Sequence, residues 1–174
     1  FSRNEVRHAF DICPANIVMN HITRKIGQAY DHDGELARSG KAELNLLSVL
    51  NAIPFYAKSY PKSLGVEWVE KEFYPIISKS SKPEDLLRTL VSHIVIQISK
   101  VTKENNIRNV LVTGGGAFNS FLISELRKCS AAKIILPDAN TINYKEALVF
   151  AFLGVLKMRG ETNVLKSVTG ASKD

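Results

Sequence analysis

The chain has 174 residues, 45% of them hydrophobic, enough to fill the core of one compact domain. Its net charge of +6 comes from 23 Lys and Arg against 17 Asp and Glu, scattered without aromatic interleaving, so a base-stacking nucleic-acid surface is not expected. The longest apolar stretch, 147–156, is shorter than the roughly 20 residues of a membrane helix, and two cysteines without C-x-x-C spacing point to neither a disulfide framework nor a zinc site.

Residues 5–12 alternate loosely and predict a strand ending at Asp11. A chain opening at Phe1 within such a strand is expected to be part of a longer protein. Pro14 breaks the alternation, and Asn16 is placed to cap a helix over 17–28, with Ile17, Val18, Ile22 and Ile26 as its apolar set. Residues 30–40 are polar and turn-like, 42–52 have helical spacing that Pro54 stops, and the loop 61–65 leads to a short helix over 66–74. A hinge-like polar patch over 80–83 precedes the strongest helical pattern, 84–103. Its stripe of Leu87, Leu90, Val91, Ile94, Ile98 and Val101 runs between an acidic start and a basic end, the order that the helix dipole favours. A strand over 108–113, a helix over 118–129 and a strand over 133–137 follow. The last helix, 144–159, is apolar on nearly every side and is expected to be largely buried. This order predicts a sheet covered by helices, with 108–113 and 133–137 as parallel neighbours joined by a right-handed crossover.

Ligands of open α/β sheets sit beyond the carboxyl ends of strands. Asp11 and the glycine run Gly114, Gly115 and Gly116 both fall at such predicted ends, which places them in one shared cleft. Three residues without Cβ between a strand and a helix let another molecule approach unpaired N–H groups, as a phosphate or ribose would; tight packing is the other reading. The run matches neither G-x-G-x-x-G nor G-x-x-x-x-G-K-[ST]. In DICPAN (11–16), Asp11 could hold a metal-bound water, orient a sugar hydroxyl or act as a base; equally, the segment could be a turn with Asn16 as cap. DHDGE (31–35) lacks the calcium-loop ligands, since Glu35 and Ala42 stand at the fifth and twelfth places, and it reads as a solvated turn. Glu146 either stabilises a helix N-terminus or accepts hydrogen bonds from a ligand's hydroxyls. The histidines at 8, 21, 32 and 93 share no metal spacing, Cys13 reads as a packing residue, and SVTGAS (167–172) as a tail strand or lid.

Taken in order, FDICPAN (10–16), YDHDGELARSG (30–40), PKSLGVEW (61–68), VLVTGGGAFN (110–119), EALVFAFLGVLKMRG (146–160) and NVLKSVTGAS (163–172) closely resemble the C-terminal half of anhydro-N-acetylmuramic acid kinases. That family lies in the sugar-kinase, actin and Hsp70 superfamily. The resemblance implies an α/β, actin-like (ribonuclease H-like) lobe, a mixed sheet covered by helices, spanning residues 1–174. It further implies a bacterial cytoplasmic enzyme of peptidoglycan recycling that uses ATP and Mg²⁺. Such an enzyme opens 1,6-anhydro-N-acetylmuramic acid with water and phosphorylates its 6-oxygen, giving N-acetylmuramic acid 6-phosphate. Gly114, Gly115, Gly116 and Asn119 match the motif near the nucleotide; Asp11, Pro14 and Asn16 match an interlobe motif of D-T-G-P-G-N type, with Cys13 and Ala15 replacing glycines. Glu146 matches a sugar-binding carboxylate. The family's M-S-G-T-S-x-D-G phosphate loop and D-F-R segment do not occur here, so catalytic residues are expected upstream of Phe1 and the chain alone is expected to be inactive. Its expected partners are the N-terminal lobe and a second copy, with neither nucleic acid nor membrane. A non-enzymatic nucleotide-binding or assembly module of actin-like fold is the alternative.

Overall fold

The computed structural model describes residues 1–3, 5–77 and 82–169. It opens on two short antiparallel strands, β1 (Ser2–Arg3) and β2 (Val6–Arg7). The strand predicted over 5–12 ends early. Pairing continues only to Phe1 and His8, and the Asp11 N–H then turns to the Lys62 carbonyl at 3.0 Å. Helix α1 (Asn16–Lys25) ends before Gly27, whose φ of +81° takes the chain out of the helix. Helices α2 (Glu35–Ser39) and α3 (Leu44–Asn51) follow, then the one-turn α4 (Val66–Trp68) and α5 (Tyr74–Ile77), joined by a π-helical turn over Val69–Phe73.

Helix α6 (Pro83–Glu104) is the centre of the core. Pro83 needs no N–H acceptor in the first turn, and the left-handed Asn106 lies just beyond the end. Leu87, Leu90, Val91 and Ile94 are buried as the apolar stripe predicts, whereas Ile98 and Val101 remain half-buried. Helices α1, α2, α3 and α7 (Ser120–Cys129) pack around α6, so its other faces also bury Thr89, His93 and Gln97. Of the predicted hinge-like patch, residues 80 and 81 lie outside the described residues, while Lys82 and Pro83 begin α6.

Strands β3 (Asn109–Leu111) and β4 (Lys133–Ile135) pair in parallel, as expected, with Val110 opposite Ile134 and Leu111 opposite Ile135. Val110 and Ile134 point into the core, and Leu111 and Ile135 lie exposed on the other face. The described residues thus form an α/β chain that is mostly helical. In place of one mixed sheet they hold two separate two-stranded sheets, one antiparallel and one parallel.

Helix α8 (Ala139–Met158) corrects the sequence reading most sharply. It begins five residues before the predicted start, because the Asp138 carboxylate accepts the Thr141 N–H at 3.0 Å and caps it there. It is also not buried: Leu148 and Phe150 are each 71% exposed and Met158 90%. A helix apolar on all sides needs cover on all sides, and the described residues cover little of it. No helix among them is long and apolar enough to cross a membrane. Helix α9 (Lys166–Thr169) returns to β2; the rest of the 167–172 loop lies outside the described residues.

A hydrogen-bonded set of polar side chains is fixed within this core. Asn51 Oδ1 accepts from His93 Nδ1 and from Gln97 Nε2, both at 2.8 Å. His93 Nε2 then accepts the Tyr56 hydroxyl proton at 2.8 Å, which sets the neutral tautomer. Burial lowers the His93 pKa from 6.5 to about 4. Above pH 6.5 both folded and unfolded chains hold this ring neutral, and between 6.5 and about 4 only the unfolded chain takes up the proton. Stability should therefore fall across that window by about 3 kcal/mol on account of His93. Denaturation of wild type and His93→Gln at successive pH values measures it: the difference between the two should shrink as pH falls, and a constant difference refutes it.

Candidate functional site

Gly114 leaves β3 with φ +75° and ψ −176°, a conformation essentially confined to glycine. The Ala117 N–H then bonds to the Gly114 carbonyl at 3.0 Å and the Asn119 N–H to the Gly116 carbonyl at 3.2 Å, closing a 3-10 turn over Gly115–Phe118. Gly115 and Gly116 stand first in that turn, so no preceding turn accepts their N–H groups. The Asn16 amide lies against both residues. A Cβ on Gly115 would stand 3.0 Å from Asn16 Nδ2, and one on Gly116 would stand 3.6 Å from Asn16 Oδ1. Asn16 is consequently not the expected cap of α1: it is the first helical residue, and Ala15 holds the cap position without a side-chain bond.

Asn119 is the cap of the next helix. Its Oδ1 accepts the Leu122 N–H at 2.9 Å, and the residue is buried at the start of α7. Against it packs the loop 30–35. Gly34, at φ +72°, approaches so closely that a Cβ there would overlap Asn119 Oδ1 and Phe121 Cβ. The Asp31 carboxylate is buried and capped onto α2, accepting the Leu36 N–H at 2.9 Å and the Ala37 N–H at 3.0 Å. The Ser120 hydroxyl donates to the Asp33 carbonyl at 3.0 Å, closing the loop onto α7.

A cleft of about 340 Å³ lies between these segments. Asn16, Gly115 and Asn119 line one part of it, and Met19 and Asn20 of α1 another. Tyr30 and Phe118, both exposed, add two aromatic rings, and Asp31 and Asp33 add carboxylates. Among the described residues, no lysine or arginine lines it. The arrangement offers flat apolar surface, three amide side chains and first-turn N–H groups, a donor set suited to a heteroaromatic ring with a sugar attached. Sequence reasoning missed Tyr30, Asp31, Asp33 and Phe118. The signal was present in the D-G step at Asp33 and Gly34, both with positive φ, which turns the 30–35 loop back onto α7.

The remaining candidates lie elsewhere. The Asp11 carboxylate accepts the Leu64 N–H at 2.6 Å, which ties DICPAN to the 61–65 loop, and Asp11 does not line the cleft at Gly115. The buried Pro14 and half-buried Cys13 border a smaller hollow beside Leu64, and burial pushes the Cys13 thiol up to about 12, which makes it inert. Glu146 is exposed two turns into α8, away from the helix terminus, and lines neither hollow. No group of three or more His, Cys, Asp or Glu side chains that could hold a metal occurs among the described residues.

The family model described as anhydro-N-acetylmuramic acid kinase matches residues 2–174. Curated relatives bear the same name. The one from Aliivibrio fischeri is 33% identical over 94% of this chain and 47% of its own length. That from Streptomyces coelicolor is 30% identical over 95% and 44%, and that from Nitrosospira multiformis 33% over 97% and 48%. The chain spans about half the length of the curated relatives it matches.

Gly34→Ala should destabilise the fold by at least about 2 kcal/mol, since it combines left-handed strain with overlap at the α7 cap. Gly27→Ala shares the strain but meets open space, and should cost only about 1 kcal/mol. Urea denaturation of the two variants checks the difference, and equal losses would show that the contact with Asn119 contributes nothing.

Proposed function

This chain belongs to the anhydro-N-acetylmuramic acid kinase family, and on that premise we propose that it supplies the nucleoside-holding lobe of an ATP-dependent, two-lobed sugar kinase with an actin-like fold. The observation that carries this reading is the Asn16 amide laid on Gly115 and Gly116 at a cleft with two aromatic rings and, among the described residues, no lysine or arginine. A nucleoside suits such a lining. For a triphosphate the glycine-turn N–H groups and the asparagine amides offer donors. The Asp33 carboxylate repels it, however, and among the described residues no lysine or arginine lines the cleft to offset its charge. The base and ribose therefore enter between Tyr30 and Phe118, and the phosphates point out past the glycine turn toward the other lobe.

The reaction follows the family's. Water bonds to C1 of the 1,6-anhydro sugar as the C1–O6 bond breaks, O6 takes the γ-phosphoryl group, ADP leaves, and the water proton passes to a base. That base and the phosphate-binding loop lie in the other lobe. Mg²⁺, brought with ATP, would supply positive charge to offset the phosphates. In this chain Gly114, Gly115, Gly116, Asn16 and Asn119 position the nucleotide. Asp11, Pro14 and Glu146 would belong to the sugar side of the closed enzyme, and none of the three touches the nucleoside cleft. This work belongs to cell-wall recycling in the bacterial cytoplasm.

The uncovered faces support the two-lobed reading. Leu111 and Ile135 leave one side of the parallel pair bare, although parallel sheets are ordinarily covered on both faces. These residues and the exposed apolar side chains of α8 each offer apolar surface suited to the other lobe, or to a second copy.

Phosphoryl transfer to the anhydro sugar should be measurable with the whole protein and absent with residues 1–174 alone. In the whole protein, Gly115→Val should weaken ATP binding at least about tenfold by displacing the Asn16 amide, with the fold retained. Turnover by the isolated chain, or unchanged ATP affinity in the variant, overturns the reading. The isolated chain should also self-associate through α8, and a Leu148→Glu, Phe152→Glu double variant should sediment as a smaller species than wild type.

A further inference from the structure

A second cleft, of about 310 Å³, opens between α6, the 3-10 turn Pro54–Ala57 and the segment leading into DICPAN, and it shares no lining residue with the cleft at Gly115. Its charge is of the opposite sign. Lys58, Lys62 and Lys100 line it, against the carboxylate of Glu104, which lies 3.9 Å from Lys100 on the exposed side of α6.

Lys62 is held in place. Its Nζ donates to the Phe55 and Tyr56 carbonyls at 3.3 and 3.5 Å and sits over the Phe55 ring at 4.9 Å. Burial, and next the charge of Lys100, lower its pKa, as expected for a cation placed where positive charge is only partly offset. Part of the wall is rigid and polar. Tyr56 and Gln97, both more than nine-tenths buried, line the cleft and are fixed from behind by His93 and Asn51. The apolar wall includes Phe10, whose ring stacks on Tyr60 at 5.0 Å and 7°.

We propose that this cleft binds a small organic molecule carrying a phosphate group, with the phosphate among Lys58, Lys62 and Lys100 and the organic part against Phe10 and Tyr60. Three ammonium groups offer more donors than their carbonyl and carboxylate neighbours occupy, and a doubly charged oxyanion balances the surplus. The segment 10–16 joins this cleft to the other one, since Phe10 and Ile12 line the first and Asn16 the second.

Isothermal titration of the whole protein with inorganic phosphate and with phenyl phosphate tests this. Phenyl phosphate should bind more tightly than phosphate, and its affinity should fall with added salt. Lys58→Gln and Lys100→Gln, both on the exposed rim, should each weaken it roughly fivefold. Asn16→Ala should leave it unchanged. No saturable binding, equal binding by the lysine variants, or loss through Asn16→Ala would each overturn the proposal. Binding of ATP to the other cleft is read separately in the same variants, so failure of that reading is distinguishable from failure of this one.

Discussion

At the start of α7, three stretches far apart in sequence meet on one asparagine and the glycines beside it. Asn119 turns its Oδ1 onto the Leu122 N–H, Gly34 packs on that same oxygen, and the Asn16 amide covers Gly115 one turn earlier. None of these contacts is strong alone, since a neutral hydrogen bond contributes about 1 kcal/mol. Their effect is geometric. Without the missing Cβ of Gly34 the 30–35 loop could not reach α7, and Tyr30 and Asp33 would not stand across from Phe118. The cleft is a by-product of how closely three backbones approach.

How much of this was legible depended on whether a residue's partner lay nearby in sequence. The long helix α6 was readable because its acidic start, its stripe and its basic end are local facts. The glycine run was readable as a strand-to-helix turn for the same reason. Asn16 was misread because an asparagine ahead of a helix has two uses, capping its own helix or serving a distant loop, and the pattern does not say which. Asn119, three residues before Leu122, did take the capping use. Asp31 and Asp33 looked like a solvated turn because the burial of Asp31 comes from α2 folding back onto its carboxylate.

The misreading of α8 is of another kind. An all-round apolar helix was correctly read as one that requires cover, and the error lay in assuming that this chain provides it. Hydrophobic periodicity reports what a segment needs and not which segment meets the need. The same holds for Leu111 and Ile135: their alternation with Val110 and Ile134 predicts one inward and one outward side, and only the structure shows the outward side to be bare.

Charge placement then bears on the proposed division of work between two lobes. Phosphoryl transfer needs positive charge around the phosphates and positioned donors at the acceptor oxygen. Among the described residues, neither a lysine nor an arginine lines the cleft at Gly115, yet the chain carries a net charge of +6. The surplus is elsewhere, and three of its lysines gather at a cleft that the glycine turn does not reach. On the proposed two-lobed reading, a lobe that holds only the nucleoside gains by leaving cations out beside the glycines, because a cation there would fix the phosphates before the other lobe could orient them.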